Sequence, residues 1–540
     1  MPTAGASDLT VAPRAVCDLV RSTVGPCGAN KLLVKENGSI VLTADGAHLL
    51  DELDVDHHAV TVLRTTASNF RTEHSDGTGR LLLLVGALLR ESERLRDLGL
   101  HPSVIERGYA EAQEIADEVV QRRAVPLSEV GTHAVARSAL TGVRNPYECD
   151  HVVDLLTGTV DRFGLATNPT RIRNRVGVKA RLGGARAESE LVPGIVLDET
   201  PVIESMPRHA EDTGIALLSA SVDVPQMDGD DSQSDGGVSL TADSVGDVTA
   251  LSDYERDAFR DQLRRLRTLG CRVVATSETI NDRVKGHLAN EGLVGLQRID
   301  DSDLARLARA TDAHAVPSLK QVSEDVLGAG NLNVRRIAGR DMTFVTGSPG
   351  GNDVYTLLCR APDPRSVEDF RRSVEGALHS LASAIGEETV LPGGGAVYVA
   401  TARAVREHSR SVSTREALAV EAFGDALLAV PRQLATSGGL DGVTAVTRLV
   451  AAHSEGRSTV GVDALTGDVR DVLTGDPIVD PIALERHVVA AATELARKFI
   501  RIDGTFPARE REPEGSPGPE SLDDPANATG GDSVGEPTTE

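Results

Sequence analysis

The chain has 540 residues, 40% of them hydrophobic and 25% charged, the balance of a soluble globular chain able to build sizeable cores in more than one domain. Its formal charge of −25 excludes sequence-independent nucleic-acid binding, which needs a cationic face. No apolar run reaches the ~18 residues of a membrane span and no signal-peptide pattern opens the chain, so no membrane partner and a cytoplasmic location are expected.

Residues 8–24 are expected to form a helix that leads into the turn Thr23-Val24-Gly25-Pro26-Cys27-Gly28. Glycine permits positive φ and close backbone approach, and proline fixes the turn between, so backbone N–H groups are offered to an anion. Residues 30–44 read as a hairpin with Asn37-Gly38 as an I′-type turn. Its second strand ends in Thr43-Ala44-Asp45-Gly46-Ala47, where the aspartate is either a simple N-cap or a site carboxylate. Ser75-Asp76-Gly77-Thr78-Gly79-Arg80 repeats the pattern of carboxylate, glycine and hydroxyl at a helix start. Helix N-termini bind phosphate, and a nearby aspartate can hold magnesium on it. Helices follow over 80–97 and 102–122, with Pro102 at N1 and Ile105, Tyr109, Ala112 and Ala116 as a core stripe.

A short helix near 130–141 precedes polar segments and a strand over Val176–Leu182. Between 196 and 345 strands and helices alternate: strands Cys271–Thr276 and Leu293–Leu296, helices 281–290 and 302–310, a small α/β unit. Residues 227–247 carry six acids and no base, which reads as a disordered acidic loop or as a protrusion followed by the helical run 252–269. Helices return over 413–436 and 483–499, and the acidic, Gly- and Pro-containing tail 513–540 should be disordered. The five cysteines (17, 27, 149, 271, 359) form no CxxC pair and no zinc spacing, so reduced buried thiols are expected. His57 and His58 are adjacent and do not share a helical face. No P-loop, kinase signature, HExxH or nucleophile elbow occurs.

Several motifs in order carry a specific resemblance. The chain reads TVGPCGANKL (23–32), ADGAHLL (44–50) and SDGTGR (75–80), and later LPGGGAVYVA (391–400), GDALLAVPRQLATSGGLD (424–441) and GVDALTGDVRDVLTGDPIVDP (461–481). This resembles the group II chaperonins, the thermosome family of archaea and its eukaryotic cytosolic relatives, whose patterns are TLGPKGMDKM, NDGATIL, GDGTTT, VPGGGA and AGLD. The likeness runs from about residue 8 to 504. It implies a multidomain α plus α/β chaperonin fold. The helical equatorial domain would comprise 1–127 and 387–507, the hinge-like intermediate domain 128–197 and 349–386, and the α/β apical domain 198–348. That apical domain would carry its acidic protrusion near 226–262, and 508–540 would form the disordered acidic tail. The implied partners are identical or paralogous subunits in a double ring and unfolded polypeptide clients, and the implied cofactors are ATP and Mg.

By the same resemblance Thr23, Val24, Gly25 and Pro26 line the phosphate side of a nucleotide, Asp76 is the magnesium ligand, and Gly77, Thr78, Gly79 and Arg80 continue the cradle. Gly394 approaches the ribose, Asp480 holds it, Asp463 contacts adenine and Asp45 stands near the γ-phosphate. The pattern also departs from the family at this pocket. Counting back from Gly393, Gly376 stands where the family's HDAL or EDAL motif has its catalytic aspartate, and Glu375 is one helical step, about 100°, away. Ala44 replaces the asparagine of NDG, Val143 the lysine of TGK, and Gly79 and Arg80 two threonines. Arg80 is either a phosphate partner or a solvated residue. The resemblance thus implies either an ATP-driven folding machine or a nucleotide-binding structural or holding subunit with weak or no hydrolysis, and whether the chain is an enzyme stays open. Without the resemblance, Asp45 and Asp76 would also suit a small-molecule phosphotransferase. Lysine is scarce and arginine supplies almost all the positive charge, a composition that resembles proteins of salt-loving archaea.

Overall fold

The computed structural model describes residues 8–143, 145–163, 169–223, 258–348 and 353–502. The acidic stretch 227–247 and the tail 513–540 lie outside them, so neither the protrusion nor the tail is described further.

Both ends of the chain are helical because their apolar residues recur every three or four positions. The stripe Ile105, Tyr109, Ala112 and Ala116 on helix Pro102–Arg122 is fully buried. Tyr109 meets Phe423 edge-on at 5.7 Å and donates its hydroxyl to Leu88 O at 2.8 Å. One core therefore joins side chains from 16–120 with side chains from 391–500. The central helix Thr78–Asp97 carries Leu81–Leu89 as an all-round apolar run, since partners surround it.

A second core joins residues 127–178 to 357–390 and Val479. Its spine is the helix Pro364–Glu387, packed against helix Leu127–Ala139 and a three-stranded sheet. In that sheet Tyr355–Ala361 runs parallel to Val176–Leu182 and antiparallel to Glu190–Pro193. The remaining middle of the chain is a seven-stranded sheet with helices and smaller cores. Strands His209–Leu218, Cys271–Thr276 and Val294–Leu296 are parallel, and the hairpin Gly328–Ile337 with Arg340–Gly347 adds antiparallel strands. The architecture is multidomain, mixed helix and sheet.

Several boundaries differ from the sequence reading. The first helix ends at Val20 and passes into a 3-10 turn, Arg21–Thr23. The hairpin Lys31–Val34 with Ile40–Thr43 does form, but its turn is not I′. Only Gly38 of the pair is left-handed (φ 78°); Gly38 N–H closes on Lys35 O at 2.9 Å and Asn37 Oδ1 accepts Ser39 N–H at 3.0 Å. Five residues separate the paired strands, so the loop is too long for the two-residue form. Positive φ at both turn residues occurs instead at Ala338 and Gly339 (47° and 83°), between directly paired strands. The expected helix 413–436 is two, Glu416–Leu427 and Ala429–Ser437, divided just before Pro431. Helices His58–His74, Pro146–Phe163 and Pro169–Arg175 were not expected at all.

Candidate functional site

Four glycine turns meet where the chain halves share their core. In the first, Thr23 and Val24 are buried, Gly25 takes φ 93°, and Gly28 N–H returns to Gly25 O at 3.0 Å. A Cβ on Gly25 would lie 2.7 Å from Leu434 Cδ2, and one on Gly28 2.0 Å from Thr23 O, so both positions need glycine. Pro26 and Cys27 follow, half-buried, and the Cys27 thiol donates to Ala464 O at 3.3 Å. The other four cysteines are buried, and burial pushes Cys271 up to about 11 and Cys359 up to about 12.

In the second turn Asp45 caps helix Gly46–Glu52. Its Oδ1 accepts the amides of Ala47 at 2.8 Å and His48 at 3.2 Å. Its Oδ2 faces Arg372 Nη1 at 3.4 Å, so the residue is a cap and an ion-pair partner together. Beside it Thr43 donates to Asp369 at 3.2 Å, and burial raises the Asp369 carboxyl although Thr43 and Arg372 pull it down. A Cβ on Gly46 would stand 3.6 Å from Gly79 Cα, which brings the second turn against the third.

The third turn takes its shape from left-handed residues on both sides of Asp76, Ser75 at φ 58° and Gly77 at φ 81°. Asp76 Oδ1 accepts Gly77 N–H at 2.6 Å, and Oδ2 accepts from Ser380 at 3.4 Å. Buried Thr78 then opens the central helix, with Gly79 against Val24. Arg80, two residues on, is no solvated side chain. Its side chain is 15% exposed, and its guanidinium lies 2.9 Å from Asp480, 3.7 Å from Asp76, and in hydrogen-bond contact with Glu485. Glu485 also accepts from the buried Tyr398 hydroxyl. Burial raises the Glu485 carboxyl above its usual range against the pull of Arg80, while its three carboxylate neighbours keep Arg80 charged despite burial.

The fourth turn is Gly393-Gly394-Gly395, with φ 60° at Gly394 and 77° at Gly395. Gly394 O accepts Val462 N–H at 2.8 Å, and a Cβ on Gly394 would be 2.4 Å from Val462 O. Asp480 pairs in register with Leu391, two residues before this turn. Asp463 is otherwise engaged: Oδ1 accepts the amides of Leu465 and Thr466, both at 3.1 Å, and Oδ2 accepts from Arg470 at 2.9 Å. Burial opposes its charge, but these donors win and hold the carboxyl below its usual range.

The helix Pro364–Glu387 lies across the third turn. A Cβ on Gly376 would point at it, 3.3 Å from Ser75 O and 3.6 Å from Asp76 Cβ. Glu375 instead pairs with Arg371 one turn back, its charged neighbours are Arg371, Glu368 and Arg306, and burial raises its carboxyl. Val143 is buried in the second core, and its neighbour Thr141 exchanges hydrogen bonds with Ser373.

The whole chain supports one assignment. Residues 16–510 match the model of the TCP-1/cpn60 chaperonin family. The chain belongs to that chaperonin family. It is 33% identical to a thermosome subunit of Methanopyrus kandleri over 93% of this chain and 91% of the relative. It is 34% identical to thermosome subunit 3 of Haloferax volcanii over 92% and 94% of the two chains. It is 31% identical to thermosome subunit alpha of Archaeoglobus fulgidus over 94% of each. The four turns fall within motifs that carry the resemblance to group II chaperonins given above. Arg372, Asp369, Ser380, Tyr398 and Glu485 are additions that sequence reasoning missed. Glu485 alone had a signal: it falls on the apolar stripe of helix Ile482–Arg501, between Ile482 and Val488.

Proposed function

We propose that this chain is a subunit of a group II chaperonin ring that helps unfolded proteins fold, and that it binds ATP at the four turns but hydrolyses it slowly. The likeness to thermosome subunits along almost the entire chain supports the first part. Equatorial, intermediate and apical roles then fall to the two-ended helical core, the second core and the seven-stranded sheet. Unfolded polypeptides and identical or paralogous subunits are the partners this reading carries.

The donor set suits a nucleotide. Magnesium on a nucleotide is held by one or two carboxylates with substrate phosphates and water completing the shell, and Asp76 supplies one such carboxylate. Asp480 would take the ribose hydroxyls, and Thr23–Pro26, Gly77–Arg80 and Gly394 would line phosphate and sugar. When bound, the metal supplies charge to the phosphate oxygens. Among the described residues no cluster of three His, Cys, Asp or Glu side chains offers another metal cage.

The observation that carries slow turnover is Gly376, which faces the Asp76 turn with no side chain. Losing a positioned general base costs roughly 10²–10⁴ in rate. Glu375 is turned toward Arg371 and Asp45 is committed to its cap and Arg372, so neither carboxylate is free to position water there. The test is single-turnover ATP hydrolysis by purified protein in molar salt. Gly376→Asp should raise the rate, full restoration of the base being worth up to about 10²-fold or more. The gain should be modest against that, because the new Cβ sits 3.3 Å from Ser75 O and the helix must yield slightly. Fast wild-type turnover, indifferent to Gly376→Asp but abolished by Glu375→Ala, would make Glu375 the base and this reading wrong.

A further inference from the structure

We propose that a cleft beside the first glycine turn, lined by Arg21, Arg90 and Arg432, is a binding site for a tetrahedral oxyanion, with free inorganic phosphate as its ligand. The inference stands apart from the nucleotide reading, since none of the residues lining this cleft belongs to the four turns.

The cleft holds about 180 Å³ and opens between three elements. Arg21 follows helix Asp8–Val20 and opens the 3-10 turn, Arg90 stands on the central helix, and Arg432 stands on helix Ala429–Ser437. Buried Leu83, Gly86 and Ala87 line its floor. A Cβ on Gly86 would lie 2.7 Å from Cys17 Cβ, so the central helix and the first helix meet in direct contact there. Charges set around an apolar floor are screened less than charges on an open surface.

The charge count decides the class of ligand. Three guanidinium groups share the cleft with one carboxylate, Asp18, which Arg90 already holds at 2.5 Å. Burial pushes the Cys17 thiol well above its usual range, so it stays protonated and adds no charge. Among the described residues neither Arg21 nor Arg432 makes an ion pair. In a chain of charge −25 this is a local excess of cation, and it calls for an anion. The neutral donors are spent on the protein. Gln433 gives its amide to Ser437 at 3.0 Å, and Thr436 gives its hydroxyl to Arg432 O at 2.9 Å. Recognition is therefore left to the guanidinium groups.

Geometry narrows the ligand further. A carboxylate offers two oxygens in one plane and is satisfied by a single guanidinium fork. A tetrahedral oxyanion offers oxygens in several directions, and forks carried by three separate elements meet that demand. The bound ion would also tie together the two elements that hold the first turn. Arg21 leads directly into that turn, and Ser437 at the end of the helix of Arg432 donates to Val24 O at 3.1 Å.

The experiment measures phosphate binding to the full chain by equilibrium dialysis at constant ionic strength, with and without a non-hydrolysable ATP analogue. It compares wild type with Arg21→Gln, Arg432→Gln and the double variant. Both side chains are exposed, so the fold should survive their loss. Wild type should bind a single phosphate that the analogue does not displace. The double variant should bind it at least about tenfold more weakly, for the loss of two charge-assisted contacts, and each single variant at least about threefold more weakly. The single variants decide the matter should the double variant not fold. No bound phosphate, or equal binding by all the folded proteins, overturns the proposal. Phosphate released completely by the analogue belongs to the four turns and overturns it too. A cleft that ignores phosphate while its variants alter the oligomeric state would belong to an acidic side chain of a second copy, which likewise overturns it.

Discussion

At the scale of single residues, the helix across the site separates neighbours sharply. Gly376 and Glu375 are adjacent, yet one faces Asp76 and the other folds back on Arg371. That divergence was readable from the sequence, because a helix turns about 100° per residue. What was not readable is where His379 ends up, three residues further on. Burial, with Arg173 nearby, pushes its ring down from the ordinary 6.5 to about 4, and its Nδ1 is buried without a hydrogen-bond partner. His74 and Asp76 are its other charged neighbours. A depressed pKa means the unfolded chain binds the proton first, so this stability is present above 6.5 and is lost as pH falls toward about 4. Wild type should therefore lose on the order of 1–3 kcal/mol more than His379→Gln over that window, read by denaturant titration at each pH. Parallel pH profiles would mean that the ring is charged in the folded protein or plays no part.

Arg80 shows the opposite case, a residue whose fate the sequence left open. A charged residue at the start of an apolar helix is read equally well as solvated or as a ligand. Its partners lie some 400 positions away, Asp480 and Glu485, and no local pattern reaches that far. The tell-tale was Glu485 itself, a carboxylate on a buried stripe that needs a cation.

Among the elements, the hairpin is the one that its own chain leaves half uncovered. Leu32, Val34 and Ile40 are 58%, 67% and 49% exposed, and Leu32 and Val34 lie on one face with Leu42 and Ile40 directly opposite them. A two-stranded ribbon is marginal alone, and an exposed apolar face with open edges invites another chain. In the ring proposed above, this face is the one we assign to the neighbouring subunit. The double substitution Val34→Asp/Ile40→Asp should therefore leave the subunit folded, since none of the cores includes either residue, while shifting rings toward monomers. Light scattering and electron microscopy at high salt check this, and undiminished rings would refute the assignment of that face.

The unexpected helices were hidden for a related reason. In Pro146–Phe163 the buried stripe runs Cys149, Val152, Val153, Leu156, Thr159 and Val160. Thr159 breaks the apolar count but is satisfied inside the helix by Leu155 O at 2.6 Å, so a polar residue on the core side cost little. The I′ reading of Asn37-Gly38 failed on length, because a favourable dipeptide specifies that turn only when two residues join the strands.

For the whole molecule, a charge of −25 is the governing quantity. Many arginine–carboxylate pairs decorate the surface, but exposed pairs contribute only about 0–1 kcal/mol each and cannot offset general repulsion. Screening can, since the Debye length shrinks from about 10 Å at 0.1 M to about 3 Å at 1 M. The melting temperature should rise steadily between ~0.1 M and molar KCl, measured by scanning calorimetry, and an unchanged value would end the salt-adapted reading. At this scale the helical ends around an α/β middle were legible from periodicity. That 16–120 and 391–500 share one core was not, because periodicity marks a face as apolar without naming its partner.

That shared core has a bearing on how the chain is made. Val16 through Val120 leave the ribosome first, yet their apolar faces are closed by residues beyond Leu391. At roughly 5–20 residues per second, the stretch between them takes on the order of 15–55 s to synthesise. For that interval the leucine run of the central helix lacks the part of its cover that comes from helices Glu416–Leu427 and Ile482–Arg501, while the seven-stranded middle can already fold. A nascent chain of this design is itself an unfolded protein with a greasy front end, the kind of client that rings assembled from earlier copies would receive.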